Sequence, residues 1–139
     1  MAEFTTVYVQ QVAVGQNAVL ETDTIKSNYV YHRSGSGLIC LKNSGCECNP
    51  ARYRVFVKAN IDIPTGGTVE PISLALSLNG EVLQTSVVTV TPAAVGNEFA
   101  VAFEEIIKAG ACSTNIAVVN PNTQTIEVRA LTVIVERIC

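Results

Sequence analysis

Short runs in which apolar and polar residues strictly alternate, separated by turn chemistry, most narrow what this chain can fold into. In "RYRVFVKANIDI" the residues Tyr53, Val55, Val57, Ala59, Ile61 and Ile63 fall on one side, with Arg54, Phe56, Lys58, Asn60 and Asp62 on the other. A period of two places alternate side chains on opposite faces of an extended strand and cannot form a helix face. "ISLALSL" repeats the pattern, with Ile72, Leu74, Leu76 and Leu78 inward and Ser73, Ala75 and Ser77 outward. Asn79-Gly80 follows directly, the pair best suited to a type I′ hairpin, where both central residues need positive φ. "EVLQTSVVTV" supplies a return strand.

Further strands are expected in "FTTVYVQQVAV", "NAVLET", "NYVYHR", "GLICLK", "NEFAVAFEEI", "NIAVVN" and "TQTIEVRALTVIVERI". The clusters "HRSGSG", "KNSGCECNP", "IPTGG", "TPAAVGN" and "NPNTQ" lie between them, rich in the residues that turns require. "FEEIIKAG" is the one stretch with helical character; it is too short for a helix and reads as a strand end with a turn. About ten short strands at this spacing predict one all-β domain over residues 1–139, an antiparallel β-sandwich of jelly-roll type.

Composition removes several function classes. The 139 residues are 48% hydrophobic and 15% charged, enough for a full core and against disorder. The net charge of −3 and scattered Lys and Arg argue against nucleic acid as a partner. No apolar run reaches the roughly 20 residues of a membrane span. The start, "MAEFTTVYVQQVAV", has no basic segment followed by an apolar core, so no signal peptide is expected and synthesis is placed in the cytoplasm. Five cysteines are many for a reducing compartment and odd for a disulfide set. A protein assembled in the cytosol and later exposed to an oxidising exterior, such as a virion or spore-coat component, satisfies both observations.

Catalytic chemistry finds little footing. His32 is the single histidine, and no nucleophile signature accompanies it, so a hydrogen-bonded structural role is expected. Glu104 and Glu105 are adjacent on a strand and point to opposite faces, so they cannot share a substrate. A zinc site drawn from Cys40, Cys46, Cys48 and His32 is a competing reading of "CLKNSGCECNP", but zinc ligands favour wider spacing than Cys-x-Cys. Redox catalysis needs a thiol at a helix N-terminus, whereas Glu47 sits between Cys46 and Cys48 in a polar turn. The reading adopted is structural: no catalytic residue, cofactor or metal, with Cys40, Cys46, Cys48, Cys112 and Cys139 as disulfide candidates within or between subunits. A sugar-binding surface would use aromatic faces; the chain has no Trp, leaving Tyr8, Tyr29, Tyr31 and Tyr53, whose competing role is packing at an interface.

The order of signals resembles the tumour-necrosis-factor-like and complement-type jelly roll, as found in phage virion proteins and collagen-like spore-surface proteins. The likeness is carried by "VAVGQNAVLET", "GSGLICLK" followed by "ARYRVFVKANI", "ISLALSLNGEVL", "IIKAG" followed by "IAVVNPNTQTIEV", and the closing "ALTVIVERI". It differs in lacking a Gly-x-y stalk and in having five cysteines. The resemblance implies a homotrimer about a threefold axis, with an axial ion left open. A terminal strand apolar on both faces, and Phe56 on an otherwise polar face, ask for a second cover. Phe56, with either Leu131, Val133 and Val135 or Ile134, is therefore the expected trimer interface. The function expected is a non-enzymatic phage virion surface module, for decoration or a head fibre, with capsid or other virion proteins as partners. The alternatives are a receptor- or glycan-binding module, with a host-surface glycan as partner, and a spore-surface jelly roll.

Overall fold

The computed structural model describes residues 1–42, 51–110 and 114–138. Within them lie twelve strands and no α-helix. They are β1 (Ala2–Thr6), β2 (Gln10–Val12), β3 (Thr22–Ile25), β4 (Val30–His32), β5 (Ile39–Leu41) and β6 (Ala51–Asp62). They continue as β7 (Ile72–Leu78), β8 (Glu81–Val82), β9 (Val88–Val90), β10 (Phe99–Ala109), β11 (Thr114–Val119) and β12 (Ile126–Arg137).

The strands form two antiparallel sheets. Sheet A runs β10-β6-β12-β1-β3, with β2 beside β12; sheet B runs β4-β5-β11-β7-β8, with β9 beside β7. The pairings nest. The first strand pairs the last, β5 pairs β11, β6 pairs β10, and β7 closes on β8 and β9 as the innermost hairpin. A long antiparallel ribbon folded back on itself gives this pattern, which is the jelly roll expected from the sequence.

The alternating residues of β6 explain why the sheets close. Tyr53, Val55, Val57, Ala59 and Ile61, with Ile63 just past the strand end, are all buried, as the period-two reading requires. They join Phe4, Ile107, Val128 and Val133 from sheet A, and Ile39, Leu41, Leu74 and Ile116 from sheet B, in a common core. Burying a residue such as Ile or Leu contributes roughly 1.5–3 kcal/mol each, so this interior dominates the stability.

The Asn79-Gly80 hairpin is as expected, with φ of +52° and +88° at the two residues. Three local expectations are corrected. The return strand after it is broken: a 3₁₀ turn at Gln84–Ser86 separates β8 from β9, because the buried Ser86 hydroxyl accepts from Leu76 N–H and donates to the Leu83 carbonyl. "FEEIIK" continues as strand to Ala109. Strand β7 does not alternate cleanly, since Ala75 and Ser77 are buried as well, Ser77 donating to the Ala117 carbonyl at 3.4 Å.

Strand β12 carries a bulge where its register with β6 breaks between Arg129 and Thr132. Ala130 there adopts φ of +52°, in the left-handed region. The bulge changes which parity faces inward: Ile126 and Val128 before it are buried, then Leu131, Val133 and Val135 after it.

Candidate functional site

The parity change decides the interface candidates. Leu131, Val133 and Val135 are fully buried in the core of the subunit, so they are removed from the expected interface. Their apolar character is spent inside the sandwich. Ile134 lies on the opposite, outer face of sheet A, half-buried, directly across the ladder from the half-buried Phe56. Directly opposed Cβ atoms in such a ladder are about 5 Å apart, close enough for one continuous apolar spot.

Neighbouring strands extend this row. Glu3 of β1 lies across from Ile134, and Glu104 of β10 lies across from Phe56. One register step away, Arg54 contacts Glu104 at 2.9 Å and Glu136 at 3.6 Å. Ile106, half exposed, sits across from Arg54. The result is an apolar centre of Phe56, Ile134 and Ile106 with charges of both signs around it. Ile106 lies on a strand expected from the sequence but is not singled out there, because its position opposite Arg54 follows only from the register of β10 on β6.

Two clefts stand apart from this face. One, about 350 Å³, lies between Gln11, the 64–68 turn and Gln124. Its polar groups serve the fold: the Gln124 amide accepts from Thr68 N–H at 3.0 Å and donates to the Thr68 carbonyl at 2.8 Å. The other, about 290 Å³, opens where β3 crosses to β4. Phe4, Val30 and His32 form its apolar base, and Lys26, Tyr31 and Lys42 its rim.

His32 is buried at that base. Its Nδ1 lies 2.5 Å from the Asp23 carboxylate and its Nε2 2.7 Å from the Ser36 carbonyl, while its ring packs 4.7 Å from that of Phe4. Both nitrogens are committed to structure. Tyr53 is wholly buried, its hydroxyl donating to the carbonyls of Tyr29 and Lys42, so it offers no stacking face. Tyr29 carries the Arg137 guanidinium over its ring at 4.3 Å. Tyr31 and Tyr8 are open, 59% and 70% exposed.

Cys40, on β5, has no disulfide partner among the described residues. Cys46, Cys48, Cys112 and Cys139 lie outside the described residues, and with them the disulfide and zinc readings of the cysteine loop. Among the described residues no three His, Cys, Asp or Glu side chains gather as a metal site. No helix among them is long and apolar enough to cross a membrane.

The titration of Asp62 is displaced. Burial, then the Glu127 and Glu98 charges, push its carboxyl above the usual range, and Arg129 opposes them. Glu127 faces Asp62 directly across the ladder.

No family model matches the chain, and no curated protein does. Among solved structures it is similar to part of dimeric latent PorU from Porphyromonas gingivalis, at 7% identity and a TM-score of 0.43, over 96% of this chain and 13% of that one. It is also similar to part of the isomalto-dextranase of Arthrobacter globiformis T6 complexed with panose, at 9% identity and a TM-score of 0.35, over 90% of this chain and 23% of that one. The chain therefore spans less than a quarter of either protein's length.

Proposed function

We propose that the chain is a non-enzymatic structural module that assembles as a homotrimer through the outer face of sheet A. The observation that carries this reading is the pairing of Phe56 with Ile134 on that face, beside the half-exposed Ile106. An outer sheet face in contact with water alone favours polar residues at such central positions. Arg54, Glu104, Glu136, Glu3 and Lys58 surround the apolar centre with both charge signs, which offers complementary partners to the charged residues of a neighbouring copy. The nested strand order supports the likeness to trimeric tumour-necrosis-factor-like jelly rolls. That likeness, with the cysteine-rich composition, favours the exterior of a particle; the reading adopted is a phage virion surface, as decoration or head fibre, with a spore surface as the alternative.

Light scattering on the purified chain tests the assembly. The expected mass is three times the 14.8 kDa of one chain. Phe56→Ser with Ile134→Ser should give a folded monomer at micromolar concentration. A wild-type monomer, or a double variant that keeps the oligomer, refutes the interface. A second reading, a glycan-binding module, is favoured by the cleft beside Tyr31.

A further inference from the structure

We infer that the cleft between β3 and β4 binds an acidic sugar residue, through its carboxylate on Lys26 and Lys42 and its ring against Tyr31. This rests on the glycan-binding reading above and is independent of the trimer, since neither Phe56 nor Ile134 lines the cleft. The chain as a whole is acidic, yet this cleft presents two ammonium groups. The carboxylate that lines it, Asp23, is engaged by the His32 ring at 2.5 Å with its side chain only 14% exposed. Among the described residues, neither lysine makes an ion pair. The positive charge is therefore available to a ligand rather than spent within the fold.

The remaining lining supplies what a sugar needs besides charge. Tyr31 offers an open aromatic face. Ser27 and Asn28 bring a hydroxyl and an amide to the same rim. Ser27 already accepts the Tyr29 N–H at 3.2 Å, leaving its O–H to donate outward. At about 290 Å³ the cleft sits at the small end of ligand pockets, suited to one terminal monosaccharide rather than a chain lying across the surface.

The rim is also held in place. The Tyr29 carbonyl accepts the Lys42 N–H at 2.9 Å and the hydroxyl of the buried Tyr53 at 3.2 Å. The turn that carries Ser27 and Asn28 is thus pinned to the strand end that carries Lys42. Less ordering remains to be lost on binding, which favours a measurable affinity from few contacts.

Saturation-transfer NMR and calorimetry on the full chain test this with N-acetylneuraminic acid and galacturonic acid, against galactose and inorganic phosphate. Both acidic sugars should bind in the millimolar range, and galactose at least about tenfold more weakly. Lys26→Glu with Lys42→Glu should abolish binding, and Tyr31→Ala should weaken it about fivefold, with melting temperature and oligomer mass unchanged. Phosphate binding as tightly as the sugars would reduce the cleft to a simple anion site and overturn the proposal. So would acidic-sugar binding that survives the double substitution. Galactose binding equally well would overturn the acidic specificity but leave the glycan reading standing. No saccharide bound at about 10 mM would sink both.

Discussion

Asn120 makes four side-chain hydrogen bonds in the interior, and replacing it with Asp makes a prediction with a signature in pH. The residue is fully buried just beyond β11. Its amide nitrogen donates to the carbonyls of Val12 at 2.8 Å and Gln124 at 2.9 Å. Its amide oxygen accepts from the backbone N–H and the side-chain amide of Asn122, both at 2.8 Å. Its own backbone closes on the 13–16 turn, through Gln16 and Gly15. One side chain with two donors and two acceptors thus ties β2 to the loop that leads into β12, and every valence is filled.

Asn120→Asp keeps the shape and the two bonds from Asn122. It removes both donated bonds and sets a carboxylate oxygen against two carbonyl oxygens. Each buried acceptor left unsatisfied costs about 1–3 kcal/mol, so the pair costs about 4 kcal/mol before charge repulsion is added. The stronger bonds from Asn122 to a charged oxygen offset part of this, leaving an expected loss of about 3–5 kcal/mol at pH 7. With a urea dependence of roughly 2 kcal/mol per M, the midpoint should fall by about 2 M. Burial raises the folded-state pKa of the new carboxyl above its unfolded value near about 3.9. The ionisation part of the penalty is therefore absent below that value and grows as pH rises through it toward the folded pKa, while the neutral carboxyl, with one donor, still leaves one of the two carbonyls unsatisfied. Asn120→Ala removes all four side-chain bonds and should destabilise by a similar amount with no such pH dependence. Urea titrations at pH 7 and pH 4 decide the matter. A midpoint shift under about 0.3 M for Asn120→Asp, or a shift that is the same at both pH values, would refute the reasoning.

Two further substitutions test other features. Asp62→Asn should raise the melting temperature at pH 7, since the native carboxyl is displaced upward by burial and by Glu127 and Glu98. The gain, well under about 1 kcal/mol for like charges across a ladder, should vanish below about pH 4, and a loss of stability at pH 7 would contradict it. Gly37→Ala should destabilise by about 1–3 kcal/mol, because a Cβ there would sit 2.6 Å from the Ala18 backbone carbonyl oxygen, which cannot swing aside; an unchanged urea midpoint would show that the 17–18 segment yields freely.

Much of the fold was legible because the same residues signalled at two levels. In β6, alternation marked the strand and the buried face at once, and in Asn79-Gly80 the residue types named the turn and its backbone angles. The 3₁₀ interruption at Gln84–Ser86 was not legible: "EVLQTSVVTV" has strand propensity throughout, and a serine hydroxyl reaching Leu76 is a tertiary fact. His32 could be read as structural from the missing nucleophile, but its two oxygen partners, Asp23 and Ser36, come from separate segments. The cleft was less legible still. Lys26, Tyr31 and Lys42 are spread over 17 positions with no common spacing, and they line one cleft because the chain crosses from sheet A to sheet B between β3 and β4.

The interface candidates show where sequence pattern stops being decisive. "ALTVIV" is apolar at every position but Thr132, so by pattern either parity of β12 could have faced water. What chooses is the bulge. Val128 is inward, and unbroken alternation from it would have turned Ala130, Thr132 and Ile134 toward the core and left Leu131, Val133 and Val135 outside. One extra residue, Ala130, with φ of +52°, reverses that assignment. A left-handed position usually announces itself with Gly or Asn, and here it is held by Ala, at a cost of roughly 1–2 kcal/mol. That strain persists because the inverted parity buries Leu131, Val133 and Val135 in place of the smaller Ala130 and Thr132. The same inversion puts Ile134 across from Phe56 on the outer face, so the packing of the core and the surface offered to a partner are set by a single backbone irregularity.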